Sequence, residues 1–318
     1  MQYSKQTGMA MVIVIWVLSL LTIMAGSFAL TMRRETTVIS AVKDNARVQA
    51  IAETGVSVAQ QMLFLADENK RWRADGSIYQ LNYLEAKIRV RLISEMGKID
   101  INKANEELLT ALMKSTDVEL EKQQEIVSAI LDWRDKDELI HINGAEKQQY
   151  EDAELSYSPA NKDFQLIDEL QMVLGMTHDI YQQLKPLITV YSKQAQVDMN
   201  VASKEVITAI GNLDSATLDD YIQQRTMSHQ QQTSAPLYPI AGSSTKKQSG
   251  SDNQVYTIIS QAQLFEEFTS GVKVTVKKAS MESERPFQVL SWQQIEQKKS
   301  LFDDDMTQLL ITQDEPTN

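Results

Sequence analysis

The sequence predicts an α+β chain in three parts: a long N-terminal transmembrane and stem helix, an antiparallel sheet, and a large all-α domain inserted between the strands. Three observations predict it. Residues Gly8 to Leu30 are apolar, with no charge between Lys5 and Arg33. Helix-forming sequence continues past Arg34 without a break. Strand-like alternation occurs after Ile78 and again around Val272, with helical patterns between.

The apolar run spans about 33 Å at helical rise, enough to cross a hydrocarbon core of about 30 Å. Three readings fit it. A secretory signal peptide would have a shorter core and a cleavage site, for which Ala25-Gly26-Ser27 is a weak match. A plain signal anchor is the second. The third is similar to a type IV prepilin signal: a short polar leader ending at Gly8, cleavage before Met9, and retention of the apolar run as an assembly helix. The continued periodicity favours the third. Arg33 and Arg34 follow the run and only Lys5 precedes it, which by charge counting puts the C-terminal side in the cytoplasm. The prepilin-like pattern and Glu35 argue for the opposite side.

Beyond the membrane, no proline occurs before Pro159, and Gly55 is the only glycine between Gly26 and Gly76. Ala52, Gly55, Ala59, Met62 and Ala66 recur three or four residues apart and share one helical face. Their small size suits a stem, running to about Glu68, that packs into a bundle of similar stems. Tyr83, Ala86, Ile88, Val90 and Leu92 then alternate with charges, which reads as a half-buried strand. Ser94 to Lys98 supplies a turn and Ile99 to Ile101 a second strand, giving a hairpin.

An internal repeat follows. IDINKANEELLTAL (99–112) and VDMNVASKEVITAI (197–210) match at Asp100/Asp198, Asn102/Asn200, Ala104/Ala202, Glu107/Glu205, Thr110/Thr208 and Ala111/Ala209. Each copy reads as an extended segment leading into a helix, with Asn102 or Asn200 near the helix start, where it could cap. Between the copies lie further helices. Asp163 to Ile188 reads as two helices around Gly175-Met176-Thr177, resembling a helix-hairpin-helix. A membrane-anchored nucleic-acid receptor of the DNA-uptake type is therefore the alternative function. Its electrostatics are wrong. The hairpin is surrounded by Asp163, Asp168, Glu169 and Asp179, and the chain carries a net charge of −12, whereas nucleic acid demands Lys and Arg.

Leu131 to Asn161 reads as an acidic, irregular loop. Its spacing does not fit an EF-hand, and His141 has no second histidine near it for a transition metal. Met227 to Gln254, rich in Gln, Ser, Gly and Pro, reads as a flexible excursion. Val272, Val274 and Val276, then Phe287 and Val289, read as strands that could join the earlier hairpin. The chain has no cysteine, which excludes disulfides and thiolate metal sites. No phosphate-binding loop, paired histidines or nucleophile motif is present, so an enzyme is not expected.

Taken together, these blocks resemble the general secretion pathway protein K family, the large minor pseudopilins of type II secretion systems. The resemblance rests on Gly8-Met9 and the apolar run, Ala46 to Gly55, Gly97 to Asn102, Ala129 to Asp135, Gly144-Ala145-Glu146 with Tyr150, Pro159 to Asn161, and Asp168 to Leu170 with Val173 and Gly175. It implies cleavage by prepilin peptidase after Gly8 and N-methylation of Met9. It implies an inner-membrane anchor in a Gram-negative cell, a periplasmic body with a pilin-like sheet, and minor pseudopilin partners of the I and J types, possibly the H type. The expected division is 1–8 leader, 9–70 transmembrane and stem helix, 71–101 first part of the core, 102–254 inserted α-domain with a flexible segment near 227–254, and 255–318 second part of the core with an acidic tail. The resemblance also implies calcium in the α-domain, with Asp135, Asp137, Glu146 and Asp152 the candidate ligands. Ordinary pilins carry Glu at mature position five; here that position is Ile13, which suits a subunit at the fibre tip.

Overall fold

A computed structural model of the chain describes residues 8–83, 85–240, 254–265, 268–279, 286–295 and 300–311. Most of the expected leader, residues 241–253 of the segment near 227–254 and the end of the acidic tail lie outside them.

Helix α1, Gly8–Leu63, is continuous over 56 residues, about 84 Å at helical rise. Its side chains are exposed from Met9 to Ser40, and continuous burial begins near Val48. The helix stops five residues short of Glu68. Asp67 accepts a hydrogen bond from Asn69 N at 3.0 Å, and the Arg71 guanidinium donates to Leu65 O at 2.7 Å. Such local side-chain bonds compete with the helical ladder and end it.

Strands β1 (Asp75–Tyr83) and β2 (Ala86–Ser94) form an antiparallel hairpin. The expected hairpin with Ile99 is not formed. Strand β3 (Ile99–Asp100) instead pairs in parallel with β4 (Ile188–Thr189), a separate two-stranded sheet. The turn between β2 and β3 is a 3₁₀ segment, Glu95–Gly97, which turns the chain away from the hairpin.

The helical insertion holds α2 (Glu106–Met113), α3 (Leu120–Arg134), α4 (Lys147–Asp152), α5 (His178–Leu184), α6 (Lys204–Ile210) and α7 (Ser215–Gln230). Helix α7 therefore occupies the first residues of the segment expected to be flexible. Before α5, residues Ile167–Met172 form a 3₁₀ turn where a helix was expected. The helices share a core that includes Leu109, Leu112, Ile126, Ile130, Trp133 and Phe164.

The repeat has a structural job different from the expected capping. Asn105 and Ser203 occupy the N-cap positions of α2 and α6. Asn102 instead clamps a distant segment: its Oδ1 accepts from Phe164 N at 2.7 Å and its Nδ2 donates to Phe164 O at 2.9 Å. Asn200 Oδ1 accepts from Tyr238 N at 3.0 Å. Asp100 and Asp198 hold these turns by accepting from the Asn102 and Asn200 amides.

The chain then returns to the first hairpin. Strands β5 (Val255–Leu264), β6 (Phe268–Lys278), β7 (Phe287–Gln294) and β8 (Leu310–Ile311) complete a six-stranded sheet of order β7-β6-β5-β2-β1-β8. All pairings are antiparallel except β1 with β8. Ile88, Val90, Leu92, Ile258, Val272 and Val274 form a core with Val48, Ile51, Ala52, Val56 and Ala59 of α1. The small-residue face of the stem is thus occupied by the chain's own sheet and not by other stems. A Cβ on Gly55 would lie 2.8 Å from Ile88 Cγ2, and Ser260 Oγ donates to Ala52 O at 2.7 Å. Met62 is half-buried at the same interface.

The helical insertion meets the sheet through one buried and one half-buried ion pair. Arg225 of α7 pairs with Asp75 of β1 at 2.9 Å and donates to Ala202 O at 2.8 Å. Arg91 of β2 reaches Glu205 of α6 at 2.7 Å.

Candidate metal centre

The C-terminal half of α3 buries an apolar face that carries two polar residues one turn apart, Ser128 and Asp132. Both act on the loop that follows. Ser128 Oγ donates to Ile142 O at 2.8 Å. Asp132 is fully buried. Its Oδ2 accepts from Ala145 N at 2.6 Å, and its Oδ1 accepts from His141 N at 3.1 Å and contacts His141 Nδ1. Gly144 is required beside it: an added Cβ would lie 2.9 Å from Asp132 Cγ. The loop from Asp135 to Glu146 is therefore strapped to α3 by one carboxylate.

Around this strap lie more acids. The closest ligand atoms of Asp132, Asp135 and His141 all fall within 4.8 Å of one another. Glu146 is only 6 % exposed. Both its carboxylate oxygens, Asp135 Oδ1 and Asn161 Oδ1 are buried with no hydrogen-bond partner among the described residues. Asn161 enters because its Nδ2 donates to Asp137 O at 3.5 Å. Burial first, then the charges of Asp132 and Asp135, push Glu146 up to about 7. Burial, with Asp137 and Asp132, also raises Asp135.

Four orphaned buried oxygens beside several carboxylates are costly as they stand. They suit a hard cation that takes six to eight oxygens in irregular geometry, which is calcium. The donor set fits that ion. Of the residues singled out from sequence, Asp135 and Glu146 come together here. Asp137 stands at the rim, where its Oδ1 accepts from Leu139 N at 2.9 Å. Asp152 is a correction: it is exposed at the end of α4 and accepts from Gln148 Nε2 at 2.9 Å. Its carboxylate lies on the outer side of a short helix, and proximity in sequence alone suggested it. Asp132, His141 and Asn161 join the site without having been singled out as ligands from the sequence. The signal for Asp132 was its four-residue spacing from Ser128 within a buried helical stripe.

Elsewhere the stem keeps Met9 and Ile13 exposed on α1. Of the described residues, α1 is the one helix long and apolar enough to cross a membrane. The hairpin around Gly175 has a left-handed glycine at φ +84°, but only its second arm, α5, is an α-helix.

Comparison with known proteins gives a consistent picture. A family model described as type II secretion system (T2SS), protein K, matches residues 79–193, which contain the whole candidate centre. Type II secretion system protein K of Aeromonas hydrophila is 27 % identical over 248 residues, 68 % of this chain and 74 % of the relative. The protein of the same name from Pectobacterium carotovorum subsp. carotovorum is 34 % identical over 77 residues, 24 % of each chain. A chain of the crystal structure of the GspK-GspI-GspJ complex from the enterotoxigenic Escherichia coli type 2 secretion system matches with a TM-score of 0.53 at 19 % identity, covering 80 % of this chain and 98 % of its own. That likeness is one of fold.

Proposed function

We propose a function from one premise: this chain belongs to the type II secretion system protein K family. It is a minor pseudopilin, and we assign it to the tip of a periplasmic pseudopilus, where it helps start assembly for protein export across the outer membrane. The observation that carries this reading is the division of α1. Its first half is apolar and exposed, fit for membrane and neighbouring subunits, while its second half is consumed by the chain's own sheet. On this reading the body is periplasmic, prepilin peptidase cuts between Gly8 and Met9, and Met9 is methylated. The partners are minor pseudopilins of the I and J types, in keeping with the complex in which the similar fold was solved.

Ile13 supports the tip assignment. A carboxylate at that position could neutralise a neighbour's N-terminal ammonium in apolar surroundings, where a lone charge is costly. Ile13 offers none, and a subunit at the end of a fibre has fewer neighbours to serve.

We also assign a structural calcium ion to the α3–α4 loop. Asp135, Glu146 and Asn161 would hold it, with Asp137 at the rim and Asp132 positioning the loop. When bound, the ion offsets the repulsion among these carboxylates and ties Asn161 to the loop.

The test is the intact mass and N-terminal sequence of the membrane-extracted protein, with and without prepilin peptidase. A chain beginning at methylated Met9 only with the peptidase is expected. A chain still beginning at Met1 would make α1 a plain anchor and remove the basis for the assembly reading.

A further inference from the structure

Strand β7 is the outermost strand of the six-stranded sheet, and no described residue pairs with its free side. Its free backbone groups can be located. Ile295 N donates to Gly271 O at 2.9 Å, and Ala279 N donates to Pro286 O at 2.9 Å. Bonded and unbonded pairs alternate along an antiparallel ladder. The N–H and C=O groups of Phe287, Val289, Trp292 and Gln294 therefore point away from β6. Such an edge is a template for a further strand, and charge or proline commonly guards it. β7 reads FQVLSWQQ, with a bulge at Leu290 but neither charge nor proline. Val289 lies opposite Val276 and Trp292 opposite Val274, so the bulge sets both on the side of the sheet that faces α1. They remain 50 % and 48 % exposed there.

The stem selects the occupant. Val38 and Val42 are 62 % and 63 % exposed, and helical periodicity puts both within about 20° of Gln49 around α1. Gln49 Oε1 accepts from Ser270 Oγ, and from Gln294 Nε2 at 3.3 Å. The exposed apolar stripe of the stem thus runs onto β7, and a chain packed along Val38 and Val42 lies beside that edge. Antiparallel pairing with the β7 of a second copy fails on geometry. Its two-fold axis would be normal to the sheet, whereas α1 lies across a face of the sheet. The two apolar helices would then point in opposite directions and could not enter one membrane. We propose that β7 accepts an extended strand from a different, neighbouring pseudopilin whose stem lies along Val38 and Val42. Apolar residues of that strand would face Val289 and Trp292, while its backbone bonds to the four outward residues. This rests on the assembly reading and gives it a second contact beyond the stem.

The experiment is hydrogen exchange by mass spectrometry on the full-length chain, expressed alone and co-purified with other pseudopilins from secreting cells. The expected result is exchange about tenfold slower across 287–294 in the complex. Two variants separate backbone from side chain. Trp292→Pro removes one outward N–H and spares the bonds to β6, whereas Trp292→Thr keeps that N–H. Proline should reduce co-purification about tenfold relative to threonine. Unchanged exchange across 287–294 in the complex, or equal loss with proline and threonine, would overturn the proposal. So would protection that rises with the concentration of the chain alone, which assigns the edge to a second copy. The exchange comparison uses the unsubstituted chain, so it decides even where the proline variant misfolds. Co-purification with β7 unprotected strikes the strand pairing alone. No co-purifying pseudopilin at all would remove the assembly reading as well.

Discussion

Where α1 meets the sheet, contact is made by Val48, Ile51, Val56, Ile88, Val90 and Val274, with Gly55 and Ala52 letting the backbone close in. Where α3 meets its following loop, contact is made by Asp132 and Ser128 against backbone amides and a carbonyl, beside four orphaned oxygens. The first interface is complete with the chain alone. The second gathers carboxylates, with His141 as the basic side chain beside Asp132 and Asp135 among the described residues. One fold thus joins a half packed by apolar side chains to a half that gathers carboxylates, across a seam held by the Arg225–Asp75 and Arg91–Glu205 ion pairs.

The seam offers the largest way to break this comparison. Arg225→Met leaves Asp75, held down to about 2 mainly by Arg225 against the cost of its own burial, as a buried carboxylate without its partner. A loss of about 3–5 kcal/mol is expected in urea unfolding. Gly55→Leu attacks the apolar half alone. The new side chain collides with Ile88 and Ser260, and about 3 kcal/mol should be lost, with calcium affinity unchanged in a titration.

A smaller effect comes from pH. His229 of α7 is buried with both ring nitrogens unpartnered among the described residues, edge-on to Tyr79 at 5.2 Å. Burial first, then the Arg73 guanidinium, lower it from 6.5 to about 4. Between those values the unfolded chain takes up a proton that the folded chain refuses. Its contribution to stability is therefore full above about 6.5 and is lost as pH falls toward 4. His229→Phe should flatten the stability–pH curve in that window, measured by urea midpoints at several pH values. The smallest effect is expected for Asp152→Asn, within about 0.5 kcal/mol and with no change in calcium affinity, because that carboxylate stands outside the centre.

Much of this architecture was legible in the sequence. The charge-free run and unbroken periodicity gave α1, and the alternation of Ile88, Val90 and Leu92 with Lys87, Arg89 and Arg91 gave β2. The alternation of valines gave β6 and its place in the same sheet. Other features were hidden for physical reasons. Ile99–Asp100 is too short for periodicity to say which strand it joins. The spacing of Ala52, Gly55 and Ala59 announces a close approach but not the approaching surface, which joins Ile88 and Val90 of β2 to Ser260 of β5, 208 residues from Ala52 in sequence. The centre was legible as acidity and illegible as geometry. Asn161 reaches it through a contact with Asp137 across 24 residues, and Asp132 is distinguished only by lying on a buried helical stripe.

The most direct test of the difference between the two halves is hydrogen exchange by mass spectrometry on the full-length protein, with calcium and with a chelator. The account predicts that chelation speeds exchange across residues 131–161 and leaves β2 and β5 unchanged. Equal exchange in 131–161 under both conditions, or a uniform rise across both halves, would contradict it.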